Sequence, residues 1–232
     1  VQQDANRNPS FIMKKIFDSL LGRTRNGANA SSEPKSLDPS SILFSVPTIS
    51  NDLAPIEPLE AAPQPADLML HEDDWAQVEF FPKGKLAEVQ GMLAEYKSFE
   101  AENRAQYGWR NTYVRTIERE SIMRGERPLD RLQDLLGSTA SAGPIVHTLG
   151  GIGRVKDGFS LPLDGNIALY GYVADDQILV LSASVGENAD NGKLVDAFAK
   201  LNASEELILV DWRQQFVLIS IGEGGKIQAY RP

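Results

Sequence analysis

The residues best suited to binding chemistry lie in an arginine-rich stretch between positions 104 and 131. This stretch holds seven arginines against four acidic residues, and two tyrosines and a tryptophan are interleaved with them. Arginine beside aromatic rings is typical of protein-interface hot spots and of clamps for phosphate or carboxylate groups. On a strand, Arg115 and Arg119 share a face with Tyr113, because alternate side chains point the same way. The predicted binding residues are Trp109, Arg110, Tyr113, Arg115 and Arg119.

A plainer interpretation of this stretch is a solvated strand face on which arginines pair with glutamates of neighbouring strands. Both interpretations place the arginines on one strand between residues 109 and 118. They differ only in whether a partner molecule covers that face.

A second candidate motif is the loop from Gly186 to Lys193. It follows an apolar run and opens a predicted helix, which is the context of a phosphate-binding P-loop. However, the loop is one residue too long, and Leu194 stands where a magnesium-binding serine or threonine belongs. Glu187 and Asp190 also place negative charge where a P-loop would bind the phosphate. An ordinary strand-to-helix connection capped by Asp190 or Asn191 is therefore expected, with no nucleotide cofactor.

Acid–base and metal chemistry are limited by the presence of two histidines and no cysteine. His147 lies in an apolar run, where a buried core histidine is usual. His71 precedes three acidic residues, which either bind a divalent cation or form a solvated lead-in to the domain. We predict no metal ion and no cofactor. A hydrolase or transferase that combines His147 with carboxylates from separate strands remains the alternative; the candidate carboxylates are Asp196, Glu205 and Asp211.

The N-terminal 27 residues contain a short amphipathic segment with basic flanks. Its apolar residues fall on one helical stripe, opposite lysines and ahead of two arginines. The predicted docking residues are Ile12, Ile16, Phe17, Leu20 and Leu21. The segment resembles the short membrane-targeting helices of some bacterial division and trafficking proteins, which implies peripheral contact at the inner membrane face. Insertion into a partner's groove, or docking on its own domain, is the other alternative.

A cytoplasmic location is expected, because Asp18 and the trailing arginines interrupt what a signal peptide requires. Residues 28–70 form a predicted linker that is rich in proline, serine and alanine, and its seven prolines break helices and strand pairing. Within it, an apolar island at residues 42–46 is either a docking strand or an exposed part of the linker. Residues 71–232 form the predicted single globular domain, whose acidic charge excludes general nucleic-acid binding.

The domain is predicted to be α+β, with mostly antiparallel strands in hairpins and a meander and about three helices. The predicted helices span residues 83–105, a short stretch from Pro128, and residues 192–202. Alternating side chains predict a strand over residues 75–81. The strand runs 166–174 and 177–185 form a hairpin that turns at Asp175 and Asp176. Two D-W-x-Q tetrapeptides, at 74–77 and 211–214, are expected by chance in a chain of this length, so no duplication is predicted.

These features predict a tethered, non-catalytic protein-interaction domain. Its arginine–aromatic face would hold an acidic protein partner or an anionic ligand. Small acidic α+β domains with few histidines and no cysteine resemble, in general type, the toxin-neutralising immunity proteins of bacteria. That resemblance implies an adaptor that binds another protein.

Overall fold

The computed structural model describes residues 43–222 and 225–232, and these belong to one compact unit. The predicted α+β class with mostly antiparallel sheets is confirmed for this part of the chain. Three α-helices lie in it: α1 (Leu86–Asn103), α2 (Pro128–Leu136) and α3 (Asn191–Glu205). The predicted amphipathic segment and the linker up to residue 42 lie outside the described residues. No helix in the described ranges is long and apolar enough to cross a membrane.

The largest sheet in the described residues has nine strands, and every neighbouring pair is antiparallel. Eight strands follow one another across it in the order β17 (Ile227–Tyr230), β16 (Phe216–Ile221), β15 (Leu207–Asp211), β4 (Val78–Pro82), β14 (Gln177–Val185), β13 (Ile167–Ala174), β12 (Gly158–Asp164) and β9 (Ser141–Ala142). The ninth, β8 (Met123–Arg124), also pairs with β14. The predicted hairpin is β13–β14, and both of its turn residues have positive φ, 49° at Asp175 and 54° at Asp176, as its two-residue turn requires.

Both faces of this sheet are covered, which explains why its central strands are apolar at successive positions. In β15, Leu207 and Leu209 belong to the core under α2 and α3, whereas Ile208 and Val210 belong to the core under α1. The same alternation places Phe80 in the first core and Phe81 in the second. Successive side chains at the ends of β4 and β15 therefore point alternately toward the face covered by α1 and the face covered by α2 and α3.

A smaller four-stranded sheet packs beside the first. Its order is β2 (Ile56–Pro58), β11 (Gly151–Val155), β10 (Ile145–Thr148) and β3 (Met69–His71), with β3 and β10 parallel. Its inner face joins a third core that contains Leu70, Val146, Trp75 and Tyr170. Its outer face exposes both histidines of the chain, His71 and His147.

The domain begins earlier than the predicted boundary at residue 71, because residues 43–70 contribute β1 (Thr48–Ser50), β2 and most of β3. Strand β1 pairs in parallel with β7 (Tyr113–Arg115). Phe44, in the predicted apolar island, exchanges two backbone hydrogen bonds of 2.8 and 3.1 Å with Trp109. That tryptophan ends β6 (Gly108–Trp109), which pairs with β5 (Arg104–Ala105).

Two other predicted elements are shorter in the structure. Residues 72–74 form a 3-10 turn and Ala76 has a φ of 55°, so strand β4 starts at Val78 and not at Trp75. Of the predicted strand 109–118, only Trp109, the last residue of β6, and residues 113–115 of β7 are extended strand in the structure. The reason is that its pairing partner, β1, is only three residues long.

Candidate functional site

Arg115, the centre of the predicted arginine face, points into the protein. Its side chain is buried and lies over the ring of Trp212, with the guanidinium carbon 5.0 Å from the ring centre. Nη1 donates a 2.9 Å hydrogen bond to Thr48 Oγ1, and Nη2 donates one of 2.9 Å to the carbonyl oxygen of Ala76. Arg115 therefore holds β1 and the start of β4 together and does not face solvent.

Arg119 is also directed inward, against two carboxylates from other parts of the chain. It forms a fork-like pair with Asp52, in which Nη2 donates to Oδ1 at 2.9 Å and Nε donates to Oδ2. Its Nη1 donates to Glu79, which is almost completely buried on β4. A guanidinium that meets carboxylates in this geometry is firmly oriented, because its planar donors match the carboxylate oxygens.

The ionisation of this cluster is internally balanced. Burial raises the pKa of Glu79, while the charges of Arg119 and Arg115 act in the opposite direction. Burial would also raise the pKa of Asp52, but the hydrogen bonds and charge of Arg119 hold it below its ordinary value. Burial lowers the pKa of Arg115 to about 10, which still leaves it charged at neutral pH. Two cations and two carboxylates thus compensate one another inside the domain.

The remaining predicted binding residues do not extend this cluster to the surface. Tyr113 stacks on Tyr96 with ring centres 5.4 Å apart, and its hydroxyl donates to a carboxylate of Glu95 at 3.2 Å. Trp109 is half-buried against Phe44, and only Arg110 is fully open to solvent. Arg115 is buried and Arg119 pairs with Asp52 and Glu79, so the two arginines expected to hold a partner are engaged by groups of the domain itself.

A cleft on the opposite face of the main sheet has a volume of about 690 Å³. It is lined by the ends of four neighbouring strands, by the first turns of α3 and by residues 69–77. Its apolar lining includes Val78, Leu209, Leu218, Phe216, Leu194 and Val195, and its polar lining includes Asp74, Gln77, Asp211, Arg213 and Gln214. This mixture of apolar surface and a few polar groups is typical of ligand sites.

Most of the polar lining comes from the two D-W-x-Q tetrapeptides. Antiparallel pairing of β4 with β15 brings them together, and the backbone N–H of Trp212 donates to the carbonyl of Gln77 at 3.0 Å. Arg213 of the second tetrapeptide donates to Asp74 of the first at 2.7 Å. Apart from the repeated tetrapeptide, no pattern in the sequence indicates this site. Chance matches of this length are common enough that the signal alone does not distinguish a site.

Asp211, the last residue of β15, is the least compensated ionisable group of the cleft. Its carboxylate accepts a 2.8 Å hydrogen bond from the backbone N–H of Gln214. Burial raises its pKa, against the opposing effect of that hydrogen bond and of nearby positive charge. No lysine or arginine nitrogen in the described residues lies within ion-pair distance of it, since Arg213 is paired with Asp74.

The residues of the alternative enzyme hypothesis are dispersed. His147 is exposed on β10 and pairs in register with His71, so the predicted core histidine is on the surface instead. Glu205 pairs with Arg131 at 2.8 Å, and Asp196 is exposed on α3. Of this set, only Asp211 lines the cleft.

The other two candidate motifs have structural roles. Asp190 accepts a 3.0 Å hydrogen bond from the backbone N–H of Gly192, so the P-loop-like stretch is a capped strand-to-helix connection, as predicted. His71 Nδ1 accepts from the backbone N–H of Asp73 at 3.2 Å, and Glu72 accepts from that of Leu149 at 3.1 Å. Within residues 43–222 and 225–232, no group of three or more histidine, aspartate or glutamate side chains is placed to hold a metal ion.

Comparison with known proteins gives no match: no family model fits the chain, and no curated protein or solved structure is significantly similar to it.

Proposed function

We propose that this chain is a non-catalytic protein-interaction domain that binds a segment of a partner protein in the cleft above β15. One observation carries the proposal. The cleft combines a continuous apolar lining with polar groups that other protein groups already hold in place, since Arg213 pairs with Asp74 and Asp211 accepts from Gln214. Such a surface suits recognition, in which oriented polar groups set register and apolar contact supplies affinity.

The partner proposed here differs in charge from the one that the sequence suggests. An acidic partner was expected to meet Arg115 and Arg119, but those cations are compensated by Glu79 and Asp52. Residues 43–232 carry 17 basic and 28 acidic side chains, a net charge of −11. The field around the domain therefore favours approach of a neutral or basic partner, because like charges slow encounter.

The test uses the whole chain immobilised and random peptides displayed on phage. Selected peptides are then measured against Val195→Trp, which fills the cleft from α3, and against Lys200→Trp, which places the same side chain on an exposed position of that helix. We expect Val195→Trp to weaken binding by at least about tenfold and Lys200→Trp to leave it unchanged. Failure to enrich any peptide, or equal binding by both variants, would contradict the proposal.

The raised pKa of Asp211 favours one second candidate, a hydrolase or transferase in which this carboxyl acts as a general acid. Incubation of the selected peptides with the chain, followed by mass spectrometry, separates the two functions. A binding domain returns the peptides intact. Cleavage or modification that disappears in Asp211→Asn would identify an enzyme.

We also propose that the amphipathic segment around residues 12–21 positions the domain in the cell, at a membrane or on a second protein. The support is its sequence alone, with apolar residues on one stripe and basic residues around it. Liposome flotation of the full chain and of a variant that lacks residues 1–27 tests the membrane version. Co-purification of partners with the two forms tests the protein version, and identical behaviour of both forms in both assays would contradict the proposal.

A further inference from the structure

The cleft is lined by one more carboxylate than cationic groups. Its lining contains two carboxylates, Asp74 and Asp211, and one guanidinium, that of Arg213. Arg213 Nη2 donates to Asp74 at 2.7 Å and to the carbonyl of Asp73 at 3.3 Å, and no nitrogen of Arg213 lies within ion-pair distance of Asp211. Asp211 is left with backbone N–H groups, those of Gln214 and Arg213, as its hydrogen-bond partners.

The surroundings of Asp211 are apolar on the side that faces the cleft. Leu209 precedes it by two residues on the same side of β15, and Phe216 and Leu218 of the adjacent strand also line the site. A carboxylate beside apolar surface loses hydration without gaining a counter-ion, which is unfavourable until a cation arrives. The raised pKa of Asp211 agrees with this placement.

Within the part of the chain that the structure describes, two positive groups lie near enough to influence Asp211, and neither neutralises it. Arg213 is engaged by Asp74, and the guanidinium of Arg231 lies over the ring of Phe216, 5.7 Å from its centre. Both lower the pKa of Asp211 through space, but neither forms an ion pair with it. The position opposite the Asp211 carboxylate is thus open to a cation from outside.

We infer that the cleft receives a lysine or arginine side chain of the partner, with its charged end on Asp211 and its aliphatic stem along the partly exposed Phe216 and Leu218. Long basic side chains suit such a site, because their methylene stems pack on apolar surface while the charge reaches a carboxylate. The net charge of −11 on residues 43–232 steers a basic segment toward the domain. This inference rests on the proposed function and names the chemistry of what the cleft binds.

The experiment is a double-mutant cycle with a phage-selected peptide that contains lysine or arginine. The peptide and its analogue with norleucine at the basic position are titrated against the wild-type chain, Asp211→Asn and Asp176→Asn. The last variant removes the same charge from the exposed β13–β14 turn. We expect norleucine to weaken binding to the wild type and to Asp176→Asn by at least about tenfold, and to weaken binding to Asp211→Asn by less than about threefold.

The outcomes separate this inference from the proposed function. If the selected peptides lack basic residues, or if norleucine has the same effect in all three proteins, the inference is overturned while cleft binding stands. If Val195→Trp binds the selected peptides as well as Lys200→Trp does, the proposed function fails as well. A thermal melt of Asp211→Asn shows whether this variant is folded. A folded variant means that a reduced difference in affinity between the basic peptide and its norleucine analogue does not come from unfolding.

Discussion

Arg119 and Asp52 are 67 residues apart in sequence, yet their side chains are joined by two hydrogen bonds, of which that from Nη2 to Oδ1 is 2.9 Å long. The same guanidinium contacts Glu79 on β4. One arginine therefore fastens the segment that carries β1 to the main sheet. Arg115 and Arg119 of the arginine-rich stretch therefore hold parts of the fold together, and the binding site proposed above lies on the other face of the sheet.

Removal of Arg119 is expected to be one of the most damaging single changes in the described chain. Arg119→Ala leaves Glu79 buried opposite a missing cation, which typically costs about 3–5 kcal/mol. Urea denaturation at pH 7 measures the loss, and Arg110→Ala is the control because that side chain is exposed. The control should change stability by no more than about 0.5 kcal/mol.

The double variant Arg119→Ala with Glu79→Gln tests the cause of that loss. Glutamine carries no charge to compensate, so the double variant should be more stable than Arg119→Ala alone. Equal stability of the two variants would show that lost packing, and not the buried carboxylate, explains the effect.

Asp52→Asn should destabilise the domain in a pH-dependent way. The native pKa of Asp52 lies below its ordinary value, because its contacts with Arg119 outweigh the effect of burial. The ionised form is thus favoured in the folded state, and its contribution is present above the unfolded pKa of about 3.9 and lost as pH falls through the native pKa. Denaturation at pH 7 should show a deficit of about 1 kcal/mol, since Asp52 is partly exposed and solvent screens the pair.

That deficit should shrink steadily below pH 4. Hydrogen exchange of the β1 amide protons provides a second measurement, because Asp52 lies two residues after that strand. A deficit that is independent of pH, with unchanged exchange in β1, would contradict the role assigned to this pair.

Local patterns were sufficient to predict the parts of the fold that have their own periodicity. The β13–β14 hairpin follows from alternating strands around Asp175 and Asp176, and α1 to α3 follow from apolar spacing and end signals such as Pro128. Residues 43–70 form strands of only three residues, whose pairing partners lie far away in sequence. Such strands carry no recognisable period, so a proline-rich linker was the natural interpretation.

The candidate site was harder to predict for the same reason. Period-two spacing relates residues only within one strand, whereas β7 ends at Arg115 and does not reach Arg119. The spacing also does not reveal where the carboxylates of Asp52 and Glu79 lie. The cleft depends on the register of β4 with β15, which places Asp74 and Asp211 at one end of the sheet. Register between strands so far apart in sequence is set by packing across the whole sheet.

Alanine substitutions at Gly171 and Gly91 are expected to change the free energy of unfolding in opposite directions. An alanine Cβ at Gly171 in β13 would lie 1.8 Å from the carbonyl oxygen of Val180, whereas one at Gly91 in α1 meets nothing within 4 Å. Gly171→Ala should therefore cost about 3 kcal/mol or more, because backbone of the next strand must move. Gly91→Ala should stabilise the domain by about 0.5–1 kcal/mol. Melting temperatures that shift in the same direction would contradict the packing described for β13.

Asp211→Asn should not destabilise the domain at neutral pH. Burial raises the native pKa of Asp211, so its contribution is most favourable below the unfolded pKa of about 3.9 and is lost as pH rises through the native value. Asparagine avoids the buried charge and still accepts from the N–H of Gln214. We expect the free energy of unfolding to rise by up to about 1 kcal/mol at pH 7 and not at all at pH 3. The control is Asp134→Asn, on the exposed side of α2.

The most direct test of the central claim is a nuclear magnetic resonance titration of the isotope-labelled chain with a phage-selected peptide. Binding in the cleft predicts that the largest amide shifts occur at Asn191–Val195 of α3, at Asp211–Gln214 and at Phe216–Leu218. Residues around Arg115 and Arg119 should change little, because their side chains are held by internal partners. Shifts that cluster instead around Trp109 and Arg110, with the cleft unaffected, would contradict the account and restore the arginine–aromatic stretch as the binding surface.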